Sequence, residues 1–207
     1  MPMDKKPGEN KRHEPSPAIG RTEMRLMNSR ARELLLKHWD FPLFAALLKK
    51  HGISLRDMAV LDAGCGSGYT LELIMDRFEP AELTAFDVVP SQVEIAKSRG
   101  TGATVVTADI TDLDLPSQRF DAAFVCGVLH HCENWRTGLA EIARVLKGGG
   151  VLLMEEPGTL HLKFERLLTG HSEVLDSGFS SRRLAMEAAR NGLTIVESRP
   201  LYFGLFR

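Results

Sequence analysis

VLDAGCGSGYT, residues 60–70, joins an apolar run to a helical pattern through an acid and three alternating glycines. A strand that ends at Asp62 and a helix that begins near Gly68 can be connected this tightly only if the backbone adopts conformations that a Cβ atom would obstruct. Gly64, Gly66 and Gly68 allow those conformations and leave bare backbone facing a ligand. The unpaired N–H groups at the start of the helix favour a negatively charged group. The stretch therefore predicts a ligand-binding turn in an α/β fold.

The glycine spacing distinguishes two kinds of anionic ligand. The dinucleotide fingerprint is G-x-G-x-x-G, but Tyr69 occupies the position of its third glycine, and the third glycine here comes one residue earlier. A carboxylate at Asp62 would repel a pyrophosphate, whereas it would attract an ammonium group. The sequence thus favours a ligand that carries both an amine and a carboxylate.

The same residues resemble the glycine-rich first motif, D/E-x-G-x-G-x-G, of the class I S-adenosylmethionine-dependent methyltransferases. Asp62, Gly64, Gly66 and Gly68 match it, and S-adenosylmethionine has the amino acid end that the turn predicts. The resemblance implies that the turn, including Cys65, binds this cofactor. It also implies an α/β fold with a doubly wound, mainly parallel seven-stranded sheet, helices on both faces and N-terminal lid helices.

Two further acids follow predicted strands. Asp87 comes after the predicted strand 83–86 and about twenty residues past the turn, where an acid in a βαβ unit accepts hydrogen bonds from both ribose hydroxyls. The resemblance implies this role for Asp87, with its neighbour Val88 also at the cofactor. For Asp109 it implies a bond to the adenine amino group, and for Ile110 packing on the adenine ring. The alternatives are that Asp87 only opens a turn and that Asp109 belongs to a solvated acidic loop.

Residues 122–126 form a nearly continuous apolar run, which is typical of a central parallel strand buried on both faces. Its end at Cys126 is predicted to face the methionine part of the cofactor. His130 and His131 follow, and one of them is predicted to border the substrate pocket. No metal site is predicted, because the neighbouring cysteine and glutamate do not complete a set with zinc-like spacing.

Glu155 and Glu156 close a fifth predicted strand at the edge of the sheet where open α/β folds build their active sites. Adjacent strand residues point to opposite sides, so at most one of the two is expected to enter the cleft. Two solvated loop acids are the alternative. If the methyl acceptor must lose a proton, His130, His131 and Glu155 are the candidate catalytic residues, with Glu156 as a further possible base.

The chain is predicted to contain one domain, residues 20–207, after a disordered tail, residues 1–19, that is charged and rich in proline. Residues 20–55 show helical apolar spacing interrupted by Pro42 and are predicted to be lid helices that cap the cofactor. The lid candidates are Met24, Asn28 and Arg32. Residues 158–179 form a long connection, which predicts a second lid or a small helix.

Composition excludes several classes of protein. The formal net charge of −1 and the lack of an extended basic cluster argue against a nucleic acid partner. Three cysteines, placed in the turn and around one strand end, make a disulfide framework improbable and indicate the reducing cytoplasm. No apolar segment predicts a signal peptide or a membrane span. The sequence makes no prediction of oligomeric state.

These features together predict an S-adenosylmethionine-dependent methyltransferase that acts on a small molecule. Cys126, Gly127 and Val128 stand where the family's amino-methylating nucleobase enzymes carry an Asn or Asp followed by two prolines, which disfavours that acceptor. Two alternatives stay open. One is a noncatalytic module that binds S-adenosylmethionine and regulates a partner, and the other is a nicotinamide-dependent oxidoreductase.

Overall fold

The computed structural model describes residues 29–156, 180–199 and 203–206 of the 207-residue chain. Four of the sequence-based predictions lie outside these residues: the tail at 1–19, the lid candidates Met24 and Asn28, and the connection at 158–179.

Within the described ranges, the strands form one sheet. They are β1 (Ala59–Ala63), β2 (Glu82–Asp87), β3 (Thr104–Thr107), β4 (Phe120–Cys126), β5 (Leu146–Glu155), β6 (Ile195–Arg199) and β7 (Phe203–Phe206). Their spatial order is β3-β2-β1-β4-β5-β7-β6. The first five strands pair in parallel, and β7 pairs antiparallel with both β5 and β6. The parallel strands flanked by helices confirm the predicted α/β class.

Helices connect the parallel strands and precede β1. They are α1 (Arg30–Leu35), a π-helical turn (Leu36–Asp40), α2 (Phe41–Lys50), α3 (Tyr69–Phe78), α4 (Pro90–Ser98), a 3-10 turn (Leu129–His131), α5 (Trp135–Val145) and α6 (Ser181–Arg190). Residues of α5 and α6 pack on one face of the sheet, and residues of α2, α3 and α4 pack on the other. The order reverses beside β1, which brings the carboxyl ends of β1 and β4 together as a topological switch point.

The central strand β4 is buried on both faces, as its apolar run predicts. Ala123 and Val125 belong to the core under α5, whereas Ala122 and Phe124 belong to the core under α2 and α3. The Phe124 ring lies 5.7 Å from the Phe41 ring, centroid to centroid, in a stacked arrangement. Aromatic pairs of this kind stabilise a core beyond their buried area. The packing fixes the end of β4, where the candidate site begins.

The N-terminal helices differ from the prediction at Pro42. The predicted interruption there is wrong, because the backbone stays helical from residue 30 to residue 50. Proline lacks an N–H and cannot complete an ordinary helical turn. The chain accommodates it by placing Pro42 in the first turn of α2, directly after the π-helical turn, in which the Phe41 N–H donates to the Leu36 carbonyl.

The fifth strand is longer than the sequence predicts. The glycine run from Lys147 predicts a helix end before a strand at 151–154, but β5 begins at Leu146, immediately after α5 ends at Val145. Leu146 pairs with Phe120, and the register shifts before Val151 pairs with Ala122. The glycines therefore form an irregular part of the strand itself, and its carboxyl end still falls at Glu155.

Candidate active site

The glycine turn after β1 has the backbone that its sequence predicts. The φ angles are +74° at Gly64, +52° at Gly66 and +82° at Gly68, all in the left-handed region that side chains with a Cβ atom rarely adopt. The N–H groups of Gly64 and Cys65 both donate to the Phe86 carbonyl, at 2.8 and 3.0 Å. These bonds anchor the turn to the end of β2, so its position follows the sheet.

The three glycines of the turn have different surroundings. A Cβ atom at Gly64 would lie 2.5 Å from Cγ2 of Val128, and one at Gly68 would lie 2.8 Å from Cα of Ala96. A Cβ atom at Gly66 would have no atom of the described residues within 4 Å. Gly64 and Gly68 are therefore required by packing within the protein, whereas Gly66 faces open space. The backbone at Gly66 is where a ligand can approach closely.

Asp87, which is predicted to bind the ribose, lies at the end of β2 beside the open backbone of Gly66. Its Oδ2 accepts a hydrogen bond from the Gly66 N–H, and its Oδ1 accepts one from the Val89 N–H, both at 2.9 Å. Burial raises the pKa of Asp87, and the backbone hydrogen bonds oppose that shift. Each carboxylate oxygen can accept a further hydrogen bond. The exposed side chain of Val88 adds apolar surface beside it.

Asp62 lies at the end of β1 beneath the turn and is only 1% exposed. Its Oδ2 accepts a 2.5 Å hydrogen bond from the Thr70 hydroxyl in the first turn of α3. Burial raises the pKa of Asp62 to about 7; the Thr70 hydrogen bond opposes this shift, and the charge of Asp87 adds to it. A cation placed beside Asp62 would lower that pKa again.

Asp109 and Ile110 follow β3 on the neighbouring edge. Oδ1 of Asp109 accepts from both the N–H and the hydroxyl of Thr111, at 2.8 Å each, so the carboxylate is held in place by its own loop. Ile110 is 7% exposed and belongs to the core under α5. Its Cγ2 lies 3.2 Å from where a Cβ atom at Gly138 would be. The structure thus places the Asp109 carboxylate at the edge, while most of Ile110 is used in core packing.

A second polar cluster lies where β4 and β5 end. Nη2 of Arg32 contacts Oε2 of Glu155 at 2.6 Å, and Nη1 of Arg32 lies 3.5 Å from Oδ2 of Asp40. Burial raises the pKa of Asp40 to about 7, the Glu155 charge adds to the shift, and Arg32 opposes it. Burial also raises the pKa of the Cys126 thiol, which stays protonated at neutral pH. The cluster joins the N-terminal helical segment to the sheet.

Asp40 is a residue that sequence reasoning missed. Its signal was present, because Asp40 lies four residues after Leu36 and four residues before Phe44, and both of those are buried. Residues at this spacing share one face of a helix. A carboxyl group on an apolar helix face requires a polar partner, which the structure identifies as Arg32.

Glu156 turns away from Arg32 and holds the loop after β4. Its Oε1 accepts from the N–H groups of Val128 and Leu129, at 3.1 and 2.7 Å. Its Oε2 accepts from the His130 N–H at 3.3 Å and lies 2.7 Å from His130 Nδ1. Glu155 and Glu156 therefore point to opposite sides, as the strand alternation predicts. The alternative of two solvated acids is wrong, since both are buried.

The two histidines have distinct environments. Their rings are in contact, with centroids 3.8 Å apart. Burial, with a smaller contribution from His130, lowers the pKa of His131 to about 3. His131 is consequently neutral at physiological pH and a poor proton acceptor. The two histidines, which the sequence does not distinguish, therefore differ in their surroundings.

Gly127 is the point at which several candidate residues converge. A Cβ atom there would lie 3.3 Å from Nη2 of Arg32, 3.6 Å from Oε2 of Glu155 and 3.7 Å from Cε1 of His130. The next residue, Val128, is the one that packs against Gly64 of the turn. The polar cluster around Gly127 therefore adjoins the glycine turn through Val128.

Arg99 supports the site from α4 and was also missed by sequence reasoning. Its Nε donates to the Ser67 carbonyl of the turn at 2.6 Å. Its two Nη atoms contact Glu72 of α3 at 2.8 Å and Glu33 of α1 at 3.4 Å. One guanidinium thereby links the turn to the N-terminal helix, a contact that no local spacing in the sequence indicates.

Among residues 29–156, 180–199 and 203–206, no three metal-ligating side chains lie together as a group. In the same residues, no helix is both long enough and apolar enough to cross a membrane.

Comparisons with known proteins show what the central part of the chain is similar to. A family described as a methyltransferase domain matches residues 61–154. The chain is 31% identical over 122 residues to 2-methyl-6-phytyl-1,4-hydroquinone methyltransferase 2 of Oryza sativa subsp. japonica, a match that covers 58% of this chain and 35% of that protein. It is 34% identical over 94 residues to malonyl-[acyl-carrier protein] O-methyltransferase of Serratia marcescens, covering 45% of this chain and 36% of that protein. These matches thus span about a third of each relative.

A solved structure shows the fold more completely. A methyltransferase from Aquifex aeolicus superimposes with a TM-score of 0.68 at 20% identity, covering 89% of this chain and 96% of that one. At this identity the likeness concerns the fold.

Proposed function

Through residues 61–154, the chain belongs to the class I S-adenosylmethionine-dependent methyltransferase family, and we propose that it transfers a methyl group from S-adenosylmethionine to a small-molecule acceptor. One observation carries the proposal: the N–H of Gly66 donates to the buried carboxylate of Asp87, and the buried carboxyl group of Asp62 lies at the end of the strand that leads into the same turn. A Cβ atom at Gly66 would enter space that no atom of the described residues fills. The two carboxyl groups accept hydrogen bonds and attract positive charge, which suits a ligand with a cationic amine and a pair of hydroxyl groups.

The cofactor roles follow from these positions. In the proposal, Asp62 faces the amino group, Asp87 accepts from the ribose hydroxyls and Asp109 bonds the adenine amino group. The remaining cofactor-binding residues are Gly64, Cys65, Gly66, Gly68, Val88, Ile110 and Cys126. When bound, S-adenosylmethionine supplies a methyl group on a positively charged sulfur. The protein then has to align the acceptor with that group and to exclude water.

The polar side of the site, around Gly127, is the proposed acceptor pocket. The names of the two relatives describe a hydroquinone and a malonyl group on a carrier protein as acceptors. Here, among the described residues at Gly127, the one guanidinium, Arg32, is already bonded to Glu155 and faces Asp40. This charge balance favours an uncharged acceptor, such as a phenol or another hydroxyl compound, over a carboxylate.

The N-terminal segment, residues 20–55 of the proposed domain 20–207, is proposed to act as a lid. Two adjacent residues of α1 support this role, because Arg32 contacts Glu155 of β5 and Glu33 contacts Arg99 of α4. The segment thus contacts Glu155 in the proposed acceptor pocket and Arg99, whose side chain donates to the glycine turn. Movement of α1 would open both sides of the site together.

Calorimetric titration tests the cofactor assignment. The protein is titrated with S-adenosylmethionine, S-adenosylhomocysteine and reduced nicotinamide adenine dinucleotide, and binding of the first two without the third is expected. Preference for the dinucleotide would support an oxidoreductase instead. Formation of S-adenosylhomocysteine in the presence of a panel of phenols, alcohols, amines and carboxylic acids then distinguishes an enzyme from a noncatalytic binding module.

We expect S-adenosylmethionine to bind more tightly as the pH rises towards neutrality. In the free protein the Asp62 carboxyl, with its pKa of about 7, is largely protonated at acidic pH, and a cationic amine binds its ionised form. Below that pKa, the Kd should fall by up to about tenfold per pH unit, and it should level off above it. Calorimetry at several pH values, in buffers of different ionisation enthalpy, measures both the Kd and the proton released.

The Asp62 carboxyl group makes the unliganded protein less stable as the pH rises, whereas it makes cofactor binding tighter. Because burial raises its pKa from 3.8, Asp62 favours folding below about pH 4, and this contribution is lost as the pH rises towards about 7.

Asp62→Asn is the control for the binding prediction, and its Kd for S-adenosylmethionine should be nearly independent of pH. A wild-type Kd that stays constant between about pH 6 and about pH 7.5 would show that Asp62 does not face the amine.

A further inference from the structure

Glu156 is a buried residue, and within the described part of the chain its side chain makes four hydrogen-bonding contacts, all with the loop after β4. We infer that Glu156 is a positioning residue that fixes the imidazole proton of His130 on Nδ1, so that Nε2 of His130 accepts the proton that the methyl acceptor loses. The inference rests on the proposed function and narrows the acceptor to a group that carries a removable proton. It also selects His130 from the three candidate catalytic residues.

The direction of each hydrogen bond follows from the donors around Glu156. The backbone N–H groups of Val128, Leu129 and His130 can only donate, and all three lie within 3.3 Å of its carboxylate oxygens. Hydrogen bonds of this kind stabilise the ionised carboxylate. An ionised carboxylate has no proton to donate. The contact at 2.7 Å between Oε2 and His130 Nδ1 must therefore be donated by Nδ1–H.

A neutral imidazole carries only one N–H. With that proton on Nδ1, the lone pair of His130 lies on Nε2, on the part of the ring away from Glu156. Cε1, the ring atom between Nδ1 and Nε2, lies 3.7 Å from the Cβ position at Gly127, close to the Arg32–Glu155 pair. The His130 ring therefore borders the proposed acceptor pocket, and Nε2 is its free basic nitrogen in this tautomer. His131, with its pKa of about 3, does not compete for the proton.

The transfer step is balanced with these groups alone. A lone pair of the acceptor oxygen or nitrogen forms a bond to the methyl carbon, the carbon–sulfur bond breaks, and its electron pair remains on sulfur. The acceptor's proton moves to Nε2 of His130. The resulting imidazolium faces the Glu156 carboxylate through Nδ1–H, which stabilises the added charge. The proton passes to water when the product leaves.

Nitrogen NMR of the full chain, labelled with 15N in its seven histidines, tests the tautomer without any acceptor. The His130 signals are assigned by their loss in His130→Gln. In the wild type, we expect the neutral ring of His130 to carry its proton on Nδ1. In Glu156→Gln, an amide NH2 can replace the Oε2 acceptor and donate to Nδ1, so the proton should move to Nε2. Glu155→Gln removes the neighbouring carboxylate and should leave the His130 tautomer unchanged.

Either of two results would overturn the inference: a wild-type proton on Nε2, or a Glu156→Gln protein that keeps the proton on Nδ1. The wild-type measurement is decisive even if Glu156→Gln does not fold. With an acceptor from the panel, His130→Gln should lower kcat by about 100-fold while leaving the Kd of S-adenosylmethionine unchanged. If S-adenosylmethionine does not bind in calorimetry, the proposed function fails, and the tautomer remains a separate result.

Discussion

Asp87→Ala is expected to weaken S-adenosylmethionine binding by about 100-fold or more. In the proposed complex, the substitution removes two hydrogen bonds to the ribose hydroxyls, and a hydrogen bond to a charged group contributes about 1.5–3 kcal/mol. It also releases the Gly66 N–H, which Asp87 Oδ2 holds at 2.9 Å, so the open part of the turn loses its fixed position. Calorimetric titration of the variant and of the wild type measures the change in Kd.

The control for this prediction is Asp114→Ala, which removes an exposed acid from the loop after β3. Its Kd should remain within about twofold of wild type, since exposed charges interact weakly through water. Circular dichroism and the thermal unfolding midpoint of both variants check that each one is folded. A Kd in Asp87→Ala close to that of wild type would refute the ribose assignment.

The features that the sequence predicted well are local ones. Gly64, Gly66 and Gly68 lie within a few residues of the strand and helix that they connect, so their spacing alone indicates the turn. Asp87 is predicted because a βαβ unit places the end of its second strand beside the turn of its first. Buried parallel strands such as β4 are likewise read from a continuous apolar run. These inferences require no knowledge of distant contacts.

The residues that were missed, or not distinguished, depend on contacts between distant parts of the chain. Arg32 meets Glu155 across 123 positions, and Arg99 meets Glu33 across 66. Which of two adjacent glutamates faces which partner depends on the direction of β5 relative to the loop after β4, and no spacing in the sequence fixes that direction. The same holds for His130 and His131, whose environments differ only after the loop has packed.

Gly68→Ala and Gly66→Ala should separate stability from ligand binding. At Gly68 a Cβ atom would lie 2.8 Å from both Cα and Cβ of Ala96, so α4 must move away from the turn. Overpacking of this kind costs about 1–3 kcal/mol, and the φ of +82° adds about 1–2 kcal/mol for a residue with a Cβ atom. Urea denaturation should therefore show a loss of about 2–5 kcal/mol in the free energy of unfolding.

Gly66→Ala, in contrast, adds a methyl group that contacts no atom of the described residues, so its expected cost in stability is that of the φ of +52°, about 1–2 kcal/mol. Its effect should fall on binding, because the methyl group enters the space proposed for the cofactor. We expect calorimetry to show at least about a tenfold weaker Kd for S-adenosylmethionine, which corresponds to about 1.4 kcal/mol. If Gly66→Ala bound S-adenosylmethionine as tightly as wild type, the cofactor could not lie against the turn. The open space at Gly66 would then belong to the shape of the turn alone, and the proposed site would have to move away from β1.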